Sequence, residues 1–325
     1  MKRLPCTIFF LVAIFIFFTC EKNPTESAGK VPELTTSEVT DIRATSATCG
    51  GTITSDGGST VTARGVCWST GQTPIVKNYK TNDGTGVGSF TSNIIGLESG
   101  TDYYVRAYAT NSIGTGYGST MSFSTLAVGT VIDIDGNVYR TIKIGNQWWM
   151  AENLKVTHYC NGDAIPNVTD NSTWSNLTTG AYCNYDNDVN NVTTYGRLYN
   201  WHAVNGSRNI APTGWHVPTD AEWQTLVDYL GGESVAGGKM KEIGTKHWDG
   251  ENIGATNESG FSALPGGARQ GGGTFGVMGN HTDFWTSTES SISDAWYRTL
   301  GRYYSGVSRM TNSKQNGCSV RCMRD

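Results

Sequence analysis

Charge is what this 325-residue chain has least of: only 16% of its residues are Asp, Glu, Lys or Arg, and its net charge is −4. No long Lys/Arg cluster occurs anywhere, so the electrostatic footprint of a nucleic-acid binder is missing and no nucleic-acid partner is expected. Low charge combined with 41 glycines excludes long charged helices. Several catalytic signatures are absent as well: there is no H-E-x-x-H, no G-x-S-x-G elbow and no P-loop lysine. The stretch GGGTFG (Gly271 to Gly276) fits G-x-G-x-x-G in letters. It has neither a strand before it nor a helix after it, so it reads as a flexible loop. No C-x-x-C occurs, which removes a zinc ribbon or thioredoxin-like site.

What the chain does have begins at its N-terminus. Lys2 and Arg3 precede an apolar run from Thr7 to Thr19, too short to span a bilayer comfortably and of the right size for a signal h-region. The run stops at Cys20, and the polar sequence EKNPTES follows. This resembles a bacterial lipoprotein signal in which the cysteine becomes the lipidated N-terminus, although Phe17 stands where that pattern prefers leucine. The expected division is a signal peptide at 1–19, lipidation at Cys20 and a tether at 20–30. The chain is expected to be exported, as an outer-membrane or cell-surface lipoprotein with its lipid in the membrane.

Export allows disulfides. Of the 8 cysteines, six lie beyond the signal region. Cys49 with Cys67 and Cys160 with Cys183 are the candidate pairs by proximity in sequence. Cys318 and Cys322, four apart in an extended segment, are too far apart to bridge directly.

From 31 to 127 short alternating segments (SATCGGTIT, TVTARGVCWST, GSFTSNIIGL, TDYYVRAYATNS) are punctuated by Gly, Asp and Asn, the pattern of an all-β sandwich. In TDYYVRAYATN, Tyr103, Val105, Ala107 and Ala109 fall on one face and Tyr104, Arg106 and Tyr108 on the other. LESGTDYYVRAYATNSIGTGYGS resembles the F strand and F–G turn of fibronectin type III domains. That resemblance implies a spacer or a binding platform.

From 128 to 325 the texture changes, and nine of the ten tryptophans lie here. TVIDIDGNVYRTIKIG reads as a hairpin around Asp135-Gly136. Asp133, Asp135 and Asn137 imitate the start of an EF-hand loop, but Ile144 stands where its bidentate Glu belongs, so the turn reading prevails. In VPTDAEWQTLVDYLGG, Thr219 and Glu222 form a capping box, with Asp220 and Glu222 in the first helical turn. Trp223, Leu226, Val227 and Leu230 make one buried face, and Gly231-Gly232 ends the helix. This accounts for the acidic residues as helix initiation and leaves His216 as a structural histidine. The glycine-rich stretch from His247 to Ser290 reads as long loops, which in a compact domain mark a binding surface.

Six motifs in order (DGNVYRTIKIGNQWWMAENLK, GRLYNWHAV, PTGWHVPTDAEW, NESGFSALPGGAR, FWTSTES and GCSVRCMRD) closely resemble the Fibrobacter succinogenes major paralogous domain. That family is similar to the formylglycine-generating-enzyme/sulfatase-modifying-factor superfamily, whose fold is a variant of the C-type lectin fold. The resemblance implies an irregular α+β second domain. The related enzymes hold copper with a cysteine pair ahead of the last strand, yet residues 286–316 contain no cysteine, so that site does not carry over.

The expected protein is therefore multi-domain, an all-β sandwich followed by a lectin-like α+β domain, and not an enzyme. Asp283 and Glu289, a conceivable acid/base pair, have nothing in their spacing to set them apart from loop residues. The expected role is binding a glycan or a surface protein, or else a purely structural surface component; an enzyme of the related superfamily ranks behind both. Tryptophan and tyrosine offer flat apolar faces with polar edges suited to either ligand. Trp174, Tyr185, Trp248, Trp285 and Tyr303, which sit in polar loop-like contexts, are the candidate contacts, with core packing as the alternative for each. No cofactor is expected. Asp186 and Asp188 in DNDVNN are a candidate calcium site, against the alternative of a polar turn.

Overall fold

A computed structural model describes residues 29–325. The expected signal peptide, Cys20 and the tether up to residue 28 lie outside the described residues.

The first unit is a two-sheet antiparallel sandwich. One sheet has the order β1-β2-β5, from Glu33–Thr36 (β1), Ser46–Ser55 (β2) and Gly88–Ile95 (β5). In the other, Tyr79–Lys80 (β4), Ala63–Ser69 (β3), Asp102–Thr110 (β6) and Thr115–Tyr117 (β7) follow in that order, and Met121–Ser124 (β8) also pairs with β6. Strand alternation puts Tyr103 and Val105 of β6 inward, against Val66 and Trp68 of β3 and Ala47 and Cys49 of β2. The same pleat explains why the two cysteines do not pair. Cys67 lies between Val66 and Trp68 and so points out of the face that meets Cys49. Both thiols are free: Cys49 Sγ bonds the Ser37 carbonyl and Cys67 Sγ the Arg106 carbonyl. Cys160 and Cys183 are also free, one beside Thr213 and the other buried with Trp174. Neither expected disulfide forms.

Three residues join β8 to the second unit. Leu126 donates its N–H to the Arg43 carbonyl of the sandwich at 3.2 Å, while Ala127 accepts from Lys143 N–H at 2.8 Å. The Leu126 side chain packs against the second unit's core. The linker is thus held from both sides.

The second unit opens with Val128–Ile132 (β9) and Val138–Ile144 (β10), the hairpin expected around Asp135-Gly136. The buried Asp133 carboxylate accepts from the N–H groups of Asp135 and Asn137, the Asn137 amide and the Tyr139 hydroxyl. With those bonds made, it serves the turn. Gln147–Met150 (β11) follows. The next elements are short: Asn171–Ser175 (α1), Tyr182–Cys183 (β12), Asn190–Tyr195 (α2), Leu198–Tyr199 (β13), Trp201–Val204 (α3) and Trp215–His216 (β14). Asp220–Tyr229 (α4) and Ala236–Met240 (α5) precede Ala268–Arg269 (β15) and Phe275–Gly276 (β16). A three-stranded antiparallel sheet of His281–Glu289 (β17), Asp294–Gly301 (β18) and Ser308–Ser313 (β19) comes next, then Met323–Arg324 (β20). In the sheet ordered β14-β20-β11-β10-β9, the last strand sits between two early ones and closes the unit.

The unit is mostly β, with few and short helices, rather than the α+β domain expected. At ten residues α4 is the longest helix among those described, because glycines and turns interrupt every other apolar run before a helical face can build. Helix α4 itself is as its sequence dictates. The Thr219 hydroxyl accepts from Glu222 N–H and the Glu222 carboxylate accepts from Thr219 N–H at 2.8 Å, completing the capping box. Trp223, Leu226 and Val227 are buried against Phe261, Phe284 and Trp149.

Buried guanidiniums do for the loops what helices do elsewhere, since each carries five donors and those of Arg269 and Arg321 go largely to backbone carbonyls that no ladder satisfies. Arg269 reaches the carbonyls of Gly273, Val168 and Thr169 while lying over the Trp174 ring at 4.4 Å. Arg321 bonds Asn153 and the carbonyls of Phe261 and Ser262, over the Phe261 ring at 4.3 Å. Arg298 ties β18 to Asp220 and Gln224 of α4. Lys241 is also fully buried; its ammonium donates to the carbonyls of Ile253, Gly301 and Tyr304.

Candidate functional site: a cleft between the two units

The residues singled out from sequence are distributed by this core-building. Trp174, Trp248 and Trp285 are 0%, 1% and 0% exposed, and Tyr185 only 9%. They are corrected from candidate contacts to core. Trp174 lies under Arg269, Trp248 faces the Lys241 ammonium at 5.5 Å, and Trp285 donates its indole N–H to the Tyr199 carbonyl at 2.9 Å. Tyr185 packs on Phe275. Their polar neighbours in sequence misled because this unit makes its core out of loops. Of the five, Tyr303 alone is exposed, at 57%, its hydroxyl bonded to Arg302.

Asp186 and Asp188 belong to the short 3-10 turn Tyr185–Asn187 and its end. Asp186 adopts a left-handed backbone, φ 51°, and Asp188 accepts from Asn190 N–H and the Asn190 amide. Among the described residues, no group of three or more His, Cys, Asp or Glu side chains is placed to hold a metal ion. Asp283 and Glu289 are not brought together. Glu289 takes the buried Lys314 ammonium at one end of β17. Asp283 stands mid-strand opposite Thr299, where burial pushes its carboxyl up to about 6 against the opposing hydrogen bond from Thr299. His216 bridges the start of α4 to the chain end, 3.1 Å from Glu222 and 2.7 Å from Asp325.

The site with the shape of a binding site lies elsewhere. A cleft of about 550 Å³ runs between the units, within the ordinary range for ligand pockets. The sandwich contributes Val39, Asp41, Ile42 and Arg43; Leu126 lies at the junction. The second unit contributes Lys143 and Ile144 from the end of β10, Gly145 from the β10–β11 turn, Tyr229 and Leu230 from the end of α4, and Glu258 from a loop.

The local sequence explains each wall. Gly145 turns β10 into β11 with φ 59°, and its missing side chain leaves the space that the Tyr229 ring takes: a Cβ there would meet ring atoms at 3.0–3.2 Å. Tyr229 is the last residue of α4, off its buried face, and is 65% exposed. Arg43, Lys143 and Asp41 have no ion-pair partner among the described residues, whereas Glu258 is paired with Lys239 at 2.9 Å. A lining of aliphatic side chains with unpaired charges beside them can hold an apolar group and orient a polar one. Sequence reasoning missed these residues. The one available signal was Tyr229, an aromatic off the apolar stripe of a well-predicted helix.

Fold and cleft define a two-unit, mostly β chain whose units share a binding-sized concavity. The sequence profile of the Fibrobacter succinogenes major domain matches residues 142–324. That is more than half of the chain, which therefore belongs to this family. No curated protein sequence matches it. Among solved structures, domains A168-A170 from titin are similar over 30% of this chain and 33% of that one, at 23% identity and a TM-score of 0.23. The chain thus spans about a third of the titin chain. The sensor domain of the anti-sigma factor RsgI4 in Pseudobacteroides cellulosolvens is similar over 30% of this chain and 97% of that one, at 19% identity and a TM-score of 0.23. No helix among the described residues is long and apolar enough to cross a membrane.

Proposed function

We propose that the chain is an exported, lipid-anchored, non-enzymatic surface module that binds a partner in the cleft between its two units. Cys20 is the anchor, the sandwich is a fibronectin type III-like spacer, and the second unit is a C-type-lectin-like domain whose loops are frozen by buried arginines. The observation that carries the reading is the cleft itself: a concavity of about 550 Å³ with an aliphatic floor and an exposed Tyr229 at its wall. Large pockets with an apolar lining and a few polar groups are the usual ligand sites, often at domain junctions. A glycan-binding site built on Trp174, Trp248 and Trp285 is not part of this reading, since those rings have no face to offer a sugar.

The test is a binding screen of the full chain against glycan and peptide arrays, repeated with Tyr229→Ala and Lys143→Ala. Both side chains are exposed, so neither change should disturb folding. Saturable binding that either substitution weakens supports the reading. Binding indifferent to both changes would count against it.

A further inference from the structure

Resting on the reading that this cleft is the binding site, we infer that its ligand is an acidic peptide segment carrying aliphatic side chains. The floor comes first. Val39, Ile42, Leu126, Ile144 and Leu230 are aliphatic, and Tyr229 is the one aromatic ring. Sugar rings are best held by aromatic faces with polar edges. Aliphatic surface instead rewards aliphatic side chains, at about 25 cal/mol for each Å² removed from water.

The charges select the sign. Of the four charged residues lining the cleft, Glu258 is committed to Lys239 at 2.9 Å. Arg43 and Lys143 face no carboxylate partner among the described residues, and only Asp41 opposes them as an unpaired acid. Counted together with Lys239, the partner of Glu258, the charges at this cleft are three cations against two acids, in a chain of net charge −4. The two unpaired cations come from different units. A peptide alternating carboxylates with aliphatic side chains would use Arg43 on one wall, Lys143 on the other and the floor between them. Leu126, fixed to Arg43 by one bond and lying in the second unit's core by its side chain, holds the walls in register.

The probes are three fluorescein-labelled octapeptides of alternating leucine with glutamate, glutamine or lysine. Anisotropy is measured with the full chain in non-ionic detergent, at low and high salt. The glutamate peptide should bind at least tenfold tighter than the lysine peptide and weaken as salt rises. Arg43→Glu and Lys143→Glu should each cost it about fivefold or more, an effect a structural role would not produce, because the lysine peptide should gain by the same changes. Equal or tighter binding of the lysine peptide to the wild type overturns the inference. Cellohexaose or chitohexaose bound in its place, with loss in Tyr229→Ala, overturns the peptide class but leaves the cleft as the binding site. If no probe binds in a way that depends on Tyr229, Arg43 or Lys143, both readings fall.

Discussion

The N–H of Leu126 donates to the carbonyl of Arg43 at 3.2 Å while the Leu126 side chain packs into the core of the next unit. One residue therefore belongs to two folds, and Arg43, whose carbonyl it holds, lines the cleft. Truncating the side chain in Leu126→Ala removes partly buried apolar surface and should cost about 1–2 kcal/mol. The expected outcome is loss of ligand binding together with separation of unfolding into two calorimetric transitions. A single transition with unchanged binding would show that Leu126 does not couple the units.

Arg321 sits fully buried in the second unit with no carboxylate against it, held by carbonyls and two phenylalanine rings. Replacing it in Arg321→Ala leaves those carbonyls unpaired and opens a void. A destabilisation of about 3–5 kcal/mol is expected in urea titration, from the unpaired buried carbonyls and the void together. Trp248→Ala should fall in the same range, about 3–5 kcal/mol, as a core truncation. A change below about 1 kcal/mol there would mean that Trp248 is not the core residue it is taken for.

His216 links stability to pH. Burial alone would lower its pKa, but hydrogen bonds and charges from Asp325 and Glu222 outweigh this and raise it. A raised pKa in the folded state means that the protonated ring is bound more tightly after folding. Its contribution is full below the unfolded value of about 6.5 and is lost as pH climbs through the raised folded value. Thermal melts should therefore show a wild-type decline that sets in as pH rises above about 6.5 and that His216→Asn lacks. Parallel pH profiles for the two proteins would contradict this.

Anchoring is testable without any structure. In cells fed an alkyne fatty acid, the wild type should take up label and sediment with membranes, and Cys20→Ala should do neither. Label retained in Cys20→Ala would place the lipid on another residue, and no label in the wild type would contradict anchoring.

The parts of this fold that the sequence made legible are those in which local chemistry decides. Thr219 and Glu222 announce α4, Asp135-Gly136 announces the β9–β10 turn, and alternation in β6 sorts Tyr103 and Val105 inward. Beyond the buried face of α4, the core of the second unit was not legible, because it is assembled from loops whose backbone is satisfied by distant arginines. Val168 and Arg269 are about a hundred residues apart, and no local pattern reports their bond. Trp174 and Trp248 were left open between ligand contact and core packing for the same reason, and the core packing is what the fold shows. The cleft was invisible because it exists only once two units are placed side by side. Its charges, Arg43 and Lys143, belong to different ones.

Whether the partner is held at the junction can be read by photo-crosslinking on intact cells. Benzoylphenylalanine is placed in turn at Tyr229, Tyr303 and Tyr79, which are 65%, 57% and 71% exposed. A saturable adduct is expected from position 229, competed by the glutamate–leucine peptide, and none from position 79, which lies on the edge strand β4 and does not line the cleft. Adducts from 303 or 79 with none from 229 would contradict it.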